Sequence, residues 1–311
     1  MTLTGGGIEK AIITHTTALK PSTKTLPDPE MKTAGMDTQA YLLRLKDKAA
    51  NIAISDLTLR GPQLHGAIYG WDNQNCHLHH NTFKVNFSIE FPFEGDEDME
   101  IDHNICEGTI SIPKYAGGSV PLSGRTFHIH HNWMRDSYSI EFVRNGVEID
   151  HNLFDFDVKN DGGNLLSSFG SAPAKGPASF HNNLVNNPGR GVVWINEIFN
   201  NLEVRNNHII TRTSPTPRKD GLFGFNAGCD FKTISIRDNI IECQGQARPL
   251  VRSKESRGAM IRNNQLTNVS DADQYENPRT DARAGLELPL KFECGKHGEF
   301  IVEGWEARRV Q

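Results

Sequence analysis

The chain has 311 residues, with 38 acidic against 33 basic side chains and a formal net charge of −5. This length and a mean hydropathy of −0.50 indicate a globular protein with room for a long core. No apolar run approaches the length of a membrane span, and no basic stripe with interleaved aromatic residues points to nucleic acid. We therefore expect neither a membrane nor a nucleic acid as a partner.

The first 50 residues carry few regular patterns. The run AIIT at residues 11–14 has the composition of a strand. Helix formers are concentrated only at residues 36–50, a stretch that fits a strand-rich coil equally well. No segment at the start has the charged, apolar, small-residue layout of a signal peptide.

From residue 52 to residue 268, asparagine repeatedly closes a short apolar run. Intervals of 20 to 32 residues indicate one supersecondary unit that is copied and stacked. The chain is therefore predicted to form one solenoid. The asparagines are Asn81, Asn104, Asn132, Asn152, Asn183, Asn207, Asn239 and Asn264, in LHHN, IDHN, IHHN, IDHN, FHNN, VRNN, IRDN and IRNN.

The residues around each asparagine identify the kind of solenoid. In FHIHHN at 127–132 and VEIDHN at 147–152, apolar residues take every second place, which is the periodicity of a strand. A second short strand is predicted in most units, at residues 67–71, 88–93, 109–113, 139–143, 192–196, 222–226 and 249–252. Two or three strands per unit, without an amphipathic helix, predict an all-β fold, a parallel β-helix.

Asparagine at the same bend of every coil has a structural explanation. Asparagine tolerates left-handed backbone, and its side-chain amide can bond both its own backbone and the asparagine one coil away. We therefore predict an asparagine ladder along the axis. The parallel β-helix is predicted to span residues 1–268 in about nine to ten coils.

Residues 269–311 are predicted to be a C-terminal arm with a strand pair that caps the open end, and not an independent domain. At the other end, residues 11–14 already resemble a coil, although solenoid ends normally need a polar cap. We therefore expect a chain that has been processed or truncated at its start, and a secreted or periplasmic protein.

The cysteines and histidines do not predict a metal centre. The five cysteines form no CxxC pair and no metal-ligand spacing, and an odd number leaves at least one free thiol. Most of the histidines near the asparagines occupy the same one or two places in successive coils, so we expect them to stack along the axis without converging. These are His79, His80, His103, His130, His131 and His151.

Insertions at residues 16–39, 114–125, 157–177, 211–220 and 243–258 mostly fall beside the second strand, which is therefore expected to line a groove. The segments SIEF at 88–91 and 139–142 place their glutamates outward by alternation. Aligning the other coils on them predicts one outward row of Tyr69, Glu90, Ser111, Glu141 and Trp194. Glu90 and Glu141 are then two rungs apart, about 9 to 10 Å.

The repeating pattern, above all VEIDHNLF at 147–154 and FHIHHN at 127–132, resembles the right-handed parallel β-helix superfamily that includes pectate lyases and related polysaccharide lyases. The segment FHNNLVNNPGR at 180–190 is similar to the histidine–asparagine stretch before the catalytic arginine of pectate lyases. The resemblance covers about residues 52–268 and implies a single-stranded right-handed parallel β-helix that acts on carbohydrate.

The leading functional hypothesis is a lyase that cleaves a uronate polysaccharide by β-elimination. Lys114, Arg144 and Arg190 are candidates for carboxylate neutralisation and for the base, while Glu90 and Glu141 are candidate ligands of a calcium ion. Substrate-binding candidates are Tyr69, Trp71, Trp194, Asn196 and Arg252.

Two alternatives stay open. An inverting glycoside hydrolase needs two carboxyl groups about 6.5 to 9.5 Å apart, and Glu90 and Glu141 fall at the edge of that window. A non-catalytic β-helix that only grips glycan is the other alternative. The expected partner is a polysaccharide or oligosaccharide, and the sequence leaves the oligomeric state open.

Overall fold

The computed structural model describes residues 2–4, 12–14, 41–46, 48–61, 64–91, 96–112, 126–135, 140–141, 146–156, 164–168, 177–195, 201–212, 221–225, 229–251, 258–276, 291–293, 299–303 and 306–309. Within these ranges the chain is almost entirely strand, with short 3-10 helices at Phe231–Thr233 and Ala272–Gln274. None of these residues belongs to a helix long and apolar enough to cross a membrane.

Three parallel sheets contain most of the strands, which are numbered here in chain order. Sheet A comprises β1 (Thr2–Thr4), β4 (Ala50–Ser55), β7 (Gln74–His79), β10 (Glu97–Asp102), β13 (Phe127–His130), β16 (Val147–Asp150), β19 (Ala178–His181), β22 (Leu202–Arg205), β25 (Ile234–Arg237) and β27 (Met260–Arg262). Sheet B comprises β2 (Ile12–Thr14), β5 (Thr58–Arg60), β8 (Thr82–Lys84), β11 (Ile105–Cys106), β14 (Trp133–Met134), β17 (Leu153–Asp155), β20 (Leu184–Asn186), β23 (His208–Thr211), β26 (Ile240–Cys243) and β28 (Gln265–Thr267). Sheet C comprises β3 (Tyr41–Arg44), β6 (Gly66–Tyr69), β9 (Phe87–Glu90), β12 (Thr109–Ser111), β15 (Ile140–Glu141), β18 (Asn164–Ser168), β21 (Gly191–Ile195) and β24 (Phe223–Phe225).

The chain visits sheets A, B and C in turn and then returns to sheet A beside its previous strand. This stacking of short parallel strands in three sheets is consistent with the β-helix solenoid that the asparagine repeat predicts. The sequence of residues 36–50 fits a helix and a strand equally well. The structure has strand β3 there, at Tyr41–Arg44. Strand β18 was not predicted.

A further sheet lies near the C-terminus, where the sequence predicts a strand pair. It has three antiparallel strands, β29 (Lys291–Glu293), β30 (Glu299–Glu303) and β31 (Glu306–Arg309). Alternation in the sequence places the first strand of that pair at residues 286–290, which lie outside the described residues. The capping role of this segment stays a prediction.

In the interior, one apolar residue from each of eight successive coils stacks on the next along sheet A. In sheet A this stack is at most 2% exposed, and fully burying each such side chain stabilises the fold by about 1.5 to 3 kcal/mol. Four of the cysteines, Cys76, Cys106, Cys229 and Cys243, are buried and belong to no disulfide. The stack consists of Ile54, Leu78, Ile101, Ile129, Ile149, Phe180, Val204 and Ile236.

The eight repeat asparagines occupy the turn between sheets A and B, and each is at most 1% exposed. Each of the first seven donates its Nδ2 hydrogen to Oδ1 of the asparagine one coil further on, at 2.9 to 3.2 Å. The same Oδ1 also accepts the preceding asparagine's backbone N–H, for example from Asn104 to Asn132 at 3.0 Å. We call this series the asparagine column.

We expected the asparagine of each turn to have left-handed backbone. The left-handed residue is instead the one before the asparagine. This residue has φ between 52° and 58° in all eight coils. Histidine, asparagine or aspartate fills the position, and these residue types are enriched in left-handed backbone. The eight residues are His80, His103, His131, His151, Asn182, Asn206, Asp238 and Asn263.

We predict that Asn132→Ala lowers the free energy of unfolding by about 2 to 5 kcal/mol. Its amide donates to Ile101, His130 and Asn152 and accepts from Asn104, so truncation leaves several buried groups unpaired at about 1 to 3 kcal/mol each. Guanidinium unfolding followed by circular dichroism measures the effect. Asn86→Ala, at an exposed position, is the control and should change stability by less than about 0.5 kcal/mol. Equal small effects would contradict a structural role for the column.

Candidate functional site

The residues of the predicted row are aligned in sheet C, but Tyr69, Glu90 and Ser111 are buried. Strand register aligns Tyr69 with Glu90, Glu90 with Ser111, and Ser111 with Glu141. Through β18 the row continues to Trp194. Glu90 and Glu141 are therefore two rungs apart, about 9.6 Å at the usual spacing of strands.

The sequence predicts that Glu90 faces solvent in an open groove, and this prediction is wrong. Its side chain is 0% exposed. The Tyr41 hydroxyl donates to Oε2 of Glu90, and Nε2 of His65 lies 3.3 Å from the same oxygen. Oε1 of Glu90 is buried and has no hydrogen-bond partner among the described residues.

Aromatic rings surround this carboxylate. The Tyr41 ring meets the His65 ring edge-on at 5.4 Å and lies 4.9 Å from the Tyr69 ring, while His65 stacks on Phe87 at 4.5 Å. Gly66 leaves the space for this arrangement, because a Cβ atom there would lie 2.6 Å from Cε1 of Tyr41. The packing therefore fixes both groups that contact Glu90.

A cation lies beside the same rings. Arg44 is exposed, and its guanidinium carbon is 5.5 Å from the centre of the Tyr41 ring and 5.2 Å from that of Tyr69. Burial, and then the neighbouring Glu90 carboxylate, raise the pKa of Tyr41 far above its ordinary value, so the phenol is protonated at neutral pH. We call Tyr41, Arg44, His65, Tyr69 and Glu90 the Glu90 site.

The other predicted site residues do not converge on Glu90. Glu141 is half-buried and accepts a hydrogen bond from Ser111 Oγ at 3.3 Å. Trp194 is four rungs from Glu90, about 19 Å. Arg190 is exposed and precedes strand β21, and its carbonyl oxygen accepts a hydrogen bond from Arg248.

Trp71 lies just beyond strand β6, half-buried, where its backbone N–H donates to Oδ1 of Asn73 at 3.0 Å. The remaining predicted residues lie outside the described parts of the chain. These are Lys114, Arg144, Asn196 and Arg252.

A second polar cluster covers the outer face of sheet A. Each strand from β7 to β16 contributes two outward side chains to this face. Strands with two histidines alternate with strands with two acids along the axis. We call this cluster, together with the histidine that follows it in β19, the His–acid surface. Its residues are His77, His79, Glu100, Asp102, His128, His130, Glu148, Asp150 and His181.

Imidazole nitrogens and carboxylate oxygens of neighbouring strands are in direct contact on this surface. Because strands are about 4.8 Å apart, side chains at equivalent places in successive coils meet. Two of the contacts join a histidine to an aspartate: Nε2 of His77 contacts Oδ1 of Asp102, and Nε2 of His128 lies 2.7 Å from Oδ1 of Asp150. The other two join a histidine to a glutamate at 3.1 Å, from Nε2 of His130 to Oε1 of Glu100 and from Nε2 of His181 to Oε1 of Glu148.

Protonation follows from these contacts. Burial raises the pKa of the Asp102 carboxyl, but hydrogen bonds from His103 and His77 outweigh burial and hold that pKa below its ordinary range. Hydrogen bonds from His128 and His151 lower the pKa of the Asp150 carboxyl in the same way. Both carboxylates are therefore ionised at neutral pH.

The turn histidines form a separate stack, as the sequence predicts. The rings of His80, His103, His131 and His151 lie 4.9 to 5.2 Å apart with interplanar angles of 3° to 5°. Burial, followed by the charges of His130 and the two stacked neighbours, lowers the pKa of His131 to about 4.

The prediction that the histidines do not converge holds for this stack and is wrong for His130, which lies on strand β13. Three trios of histidine and acid bring one ligand atom from each residue within 4.8 Å of the others. The alternation HLH, EID, HIH, EID in successive strands was the available signal. The trios are His77, Glu100 and Asp102; Glu100, His128 and His130; and His128, Glu148 and Asp150.

Comparison with protein-family models, with curated proteins and with solved structures gave no match.

We predict that His131→Asn makes stability less sensitive to acid. Because the folded pKa of His131 is about 4, below the ordinary 6.5, the unfolded chain binds the proton first as pH falls. The wild-type protein should therefore lose stability between pH 6.5 and 4, and the variant should lose up to about 1.4 kcal/mol less per pH unit. Asparagine suits this turn, since Asn182 and Asn206 occupy it elsewhere. Urea unfolding across this pH range measures the slopes, and identical slopes would contradict the prediction.

Proposed function

We propose that the protein is a polysaccharide lyase that cleaves a uronate-containing polysaccharide by β-elimination at the Glu90 site. One observation carries the proposal. A single oxygen of a fully buried carboxylate contacts both a phenol and an imidazole, and a guanidinium group lies over the ring of that phenol. This is a denser set of acid–base groups than the residues predicted from the sequence provide.

The reaction needs three groups. A cation must neutralise the uronate carboxylate so that the C5 proton becomes acidic, a base must remove that proton, and an acid must protonate the leaving oxygen on C4. The electron pair of the C5–H bond forms a C4–C5 double bond while the C4–O bond breaks. The proton taken from C5 and the proton given to the oxygen balance through solvent.

Arg44 is the exposed cation of the site and would pair with the substrate carboxylate. His65 would be the base. Its Nε2 lies 3.3 Å from Oε2 of Glu90, so in the tautomer that directs the Nε2 hydrogen at this carboxylate, Nδ1 would accept the C5 proton. Tyr41, whose raised pKa keeps the phenol protonated, would be the acid. Glu90 is thus a positioning residue, and the buried Tyr69 ring packs against Tyr41 and Arg44.

The fold supports this function by analogy. We infer that the coils wind in the single right-handed sense of the pectate-lyase-like superfamily, since parallel strands joined by crossovers are right-handed in about 98% of cases. The repeating pattern at residues 127–132 and 147–154 and the segment at residues 180–190 carry this resemblance. Export from the cytoplasm, expected for an enzyme acting on a polymer, stays a prediction.

Glu90 and Glu141 do not fit one calcium ion as they are arranged. They are about 9.6 Å apart in register, whereas calcium binds oxygens at about 2.4 Å. Glu90 is engaged by Tyr41 and His65, and Glu141 by Ser111. No step of the mechanism is therefore assigned to an ion, and calcium dependence stays a prediction that EGTA and added calcium chloride test.

The hydrolase alternative is supported less well. An inverting enzyme needs one acid on the glycosidic oxygen and a second on a water. Glu90, with no exposed surface, would reach neither unless the rings above it moved. Glycan binding without turnover is left as an outcome of the experiment.

The full chain should be incubated with polygalacturonate, alginate, glycosaminoglycans and neutral glucans. We expect ultraviolet absorbance of an unsaturated uronate product from at least one acidic polymer and none from the glucans. Reducing ends without that absorbance would overturn the lyase in favour of hydrolysis. Binding of an acidic polymer without any product would leave a glycan-binding protein.

Two conservative variants test the assigned roles. Tyr41→Phe removes only the proposed proton donor, and Glu90→Gln removes the charge that fixes the His65 tautomer. We expect each to lower kcat by about 10² to 10⁴, and Glu90→Gln also to shift the pH profile. Tyr275→Phe, a change of the same kind in the last described coil, should retain activity. Wild-type kcat in Tyr41→Phe with an intact fold would remove Tyr41 from the mechanism.

A further inference from the structure

The outer face of sheet A carries the same trio of ligands twice. The first trio is His77, Glu100 and Asp102, and the second is His128, Glu148 and Asp150. In each, the histidine is the register partner of the glutamate, and the aspartate lies two residues further along the same strand. Two coils separate the trios, about 9.6 Å.

We propose that these trios bind two divalent transition-metal ions, with zinc as the representative ion. Imidazole together with carboxylate selects zinc, nickel or copper, whereas calcium and magnesium prefer oxygen ligands alone. Two carboxylates and a neutral imidazole give each trio a charge that matches a dication. Three protein ligands leave one position of a tetrahedral ion open.

The distances suit an ion after a small adjustment. Ligand atoms bonded to tetrahedral zinc at about 2.0 to 2.1 Å lie about 3.3 Å from one another. Nε2 of His128 and Oδ1 of Asp150 are 2.7 Å apart, and every ligand atom of the trio is within 4.8 Å of the others. Small side-chain rotations therefore bring the donors to coordination distance.

A second observation supports the trios independently. The outer carboxylate oxygen of each aspartate is already held by a turn histidine, Asp102 by Nδ1 of His103 and Asp150 by Nδ1 of His151, both at 2.5 Å. Hydrogen bonds of this kind orient the carboxylates that bind the ion in metal sites. The left-handed turn aims a histidine back at the aspartate in both coils.

The remaining trio does not add a third ion. It shares Glu100 with the first site and His128 with the second. We therefore assign two ions per chain. These sites are in sheet A and the Glu90 site is in sheet C, so metal binding and lyase activity can succeed or fail separately.

Isothermal titration of the tag-free, chelator-stripped full chain with zinc sulfate tests the proposal. We expect two ions per chain, and His77→Ser and His128→Ser should each remove one. Serine suits this row, which holds Ser179 and Ser235 in later coils. The double variant should lose both sites, a fall in affinity of more than about 10- to 100-fold. His131→Asn, which removes a histidine outside the two assigned trios, should keep both.

Cobalt in place of zinc gives a second readout, since tetrahedral cobalt with protein ligands absorbs visible light strongly. Two equal increments of absorbance are expected, with one lost in each single variant. Should a serine variant unfold by circular dichroism, Asp102→Asn and Asp150→Asn replace it with the same expectation. Fewer than two ions in the wild type, or unchanged binding in the double variant, would overturn the proposal and leave adventitious surface histidines only.

Discussion

The amide-to-amide hydrogen bond between successive asparagines is the interaction on which the rest of the structure depends. Neighbouring column positions are 20 to 32 residues apart in the chain, yet every pair is in register. The bond fixes one point of each coil relative to the next, and the variation in coil length falls elsewhere. Strand register on all three sheets then follows, because a slip by one residue would turn apolar side chains outward.

Fixed register turns sequence position into spatial proximity. On sheet C it places Tyr69 beside Glu90, and on sheet A it places each pair of histidines beside a pair of acids. The two faces use polar side chains differently. Sheet C buries one carboxylate under aromatic rings, whereas sheet A pairs imidazoles with carboxylates on a partly solvated face. A chemical site on the first and a coordination site on the second are consistent with that difference.

Much of the fold could be predicted from the sequence because asparagine marks eight successive coils. The row of sheet C followed from aligning coils on the two SIEF segments. Strand β3 has no asparagine before it within its own coil, and its assignment stayed open. The burial of Glu90 was not predictable, since the groups that cover it, Tyr41 and His65, come from other strands and segments 49 and 25 residues away.

The trios of histidine and acid were not predicted from the sequence for a different reason. Histidines at the same place in successive coils were read as stacking and therefore as not converging. In a β-helix, neighbouring rungs are about 4.8 Å apart, so stacking along the axis is itself a way of bringing ligands together. The turn histidines stack ring on ring, while the strand histidines meet carboxylates, and only the residue type on the adjacent rung separates the two cases.

The backbone of this solenoid repeats after one coil, but the His–acid surface repeats after two. Removing or inserting a single coil between β7 and β16 would preserve every core contact and the asparagine column while setting histidines against histidines, or acids against acids. The apolar stack and the asparagine column tolerate an odd or an even number of added coils. The alternation of histidines and acids on this surface is kept only by an even number. Growth or loss of the solenoid that keeps the surface intact is thus restricted to pairs of coils.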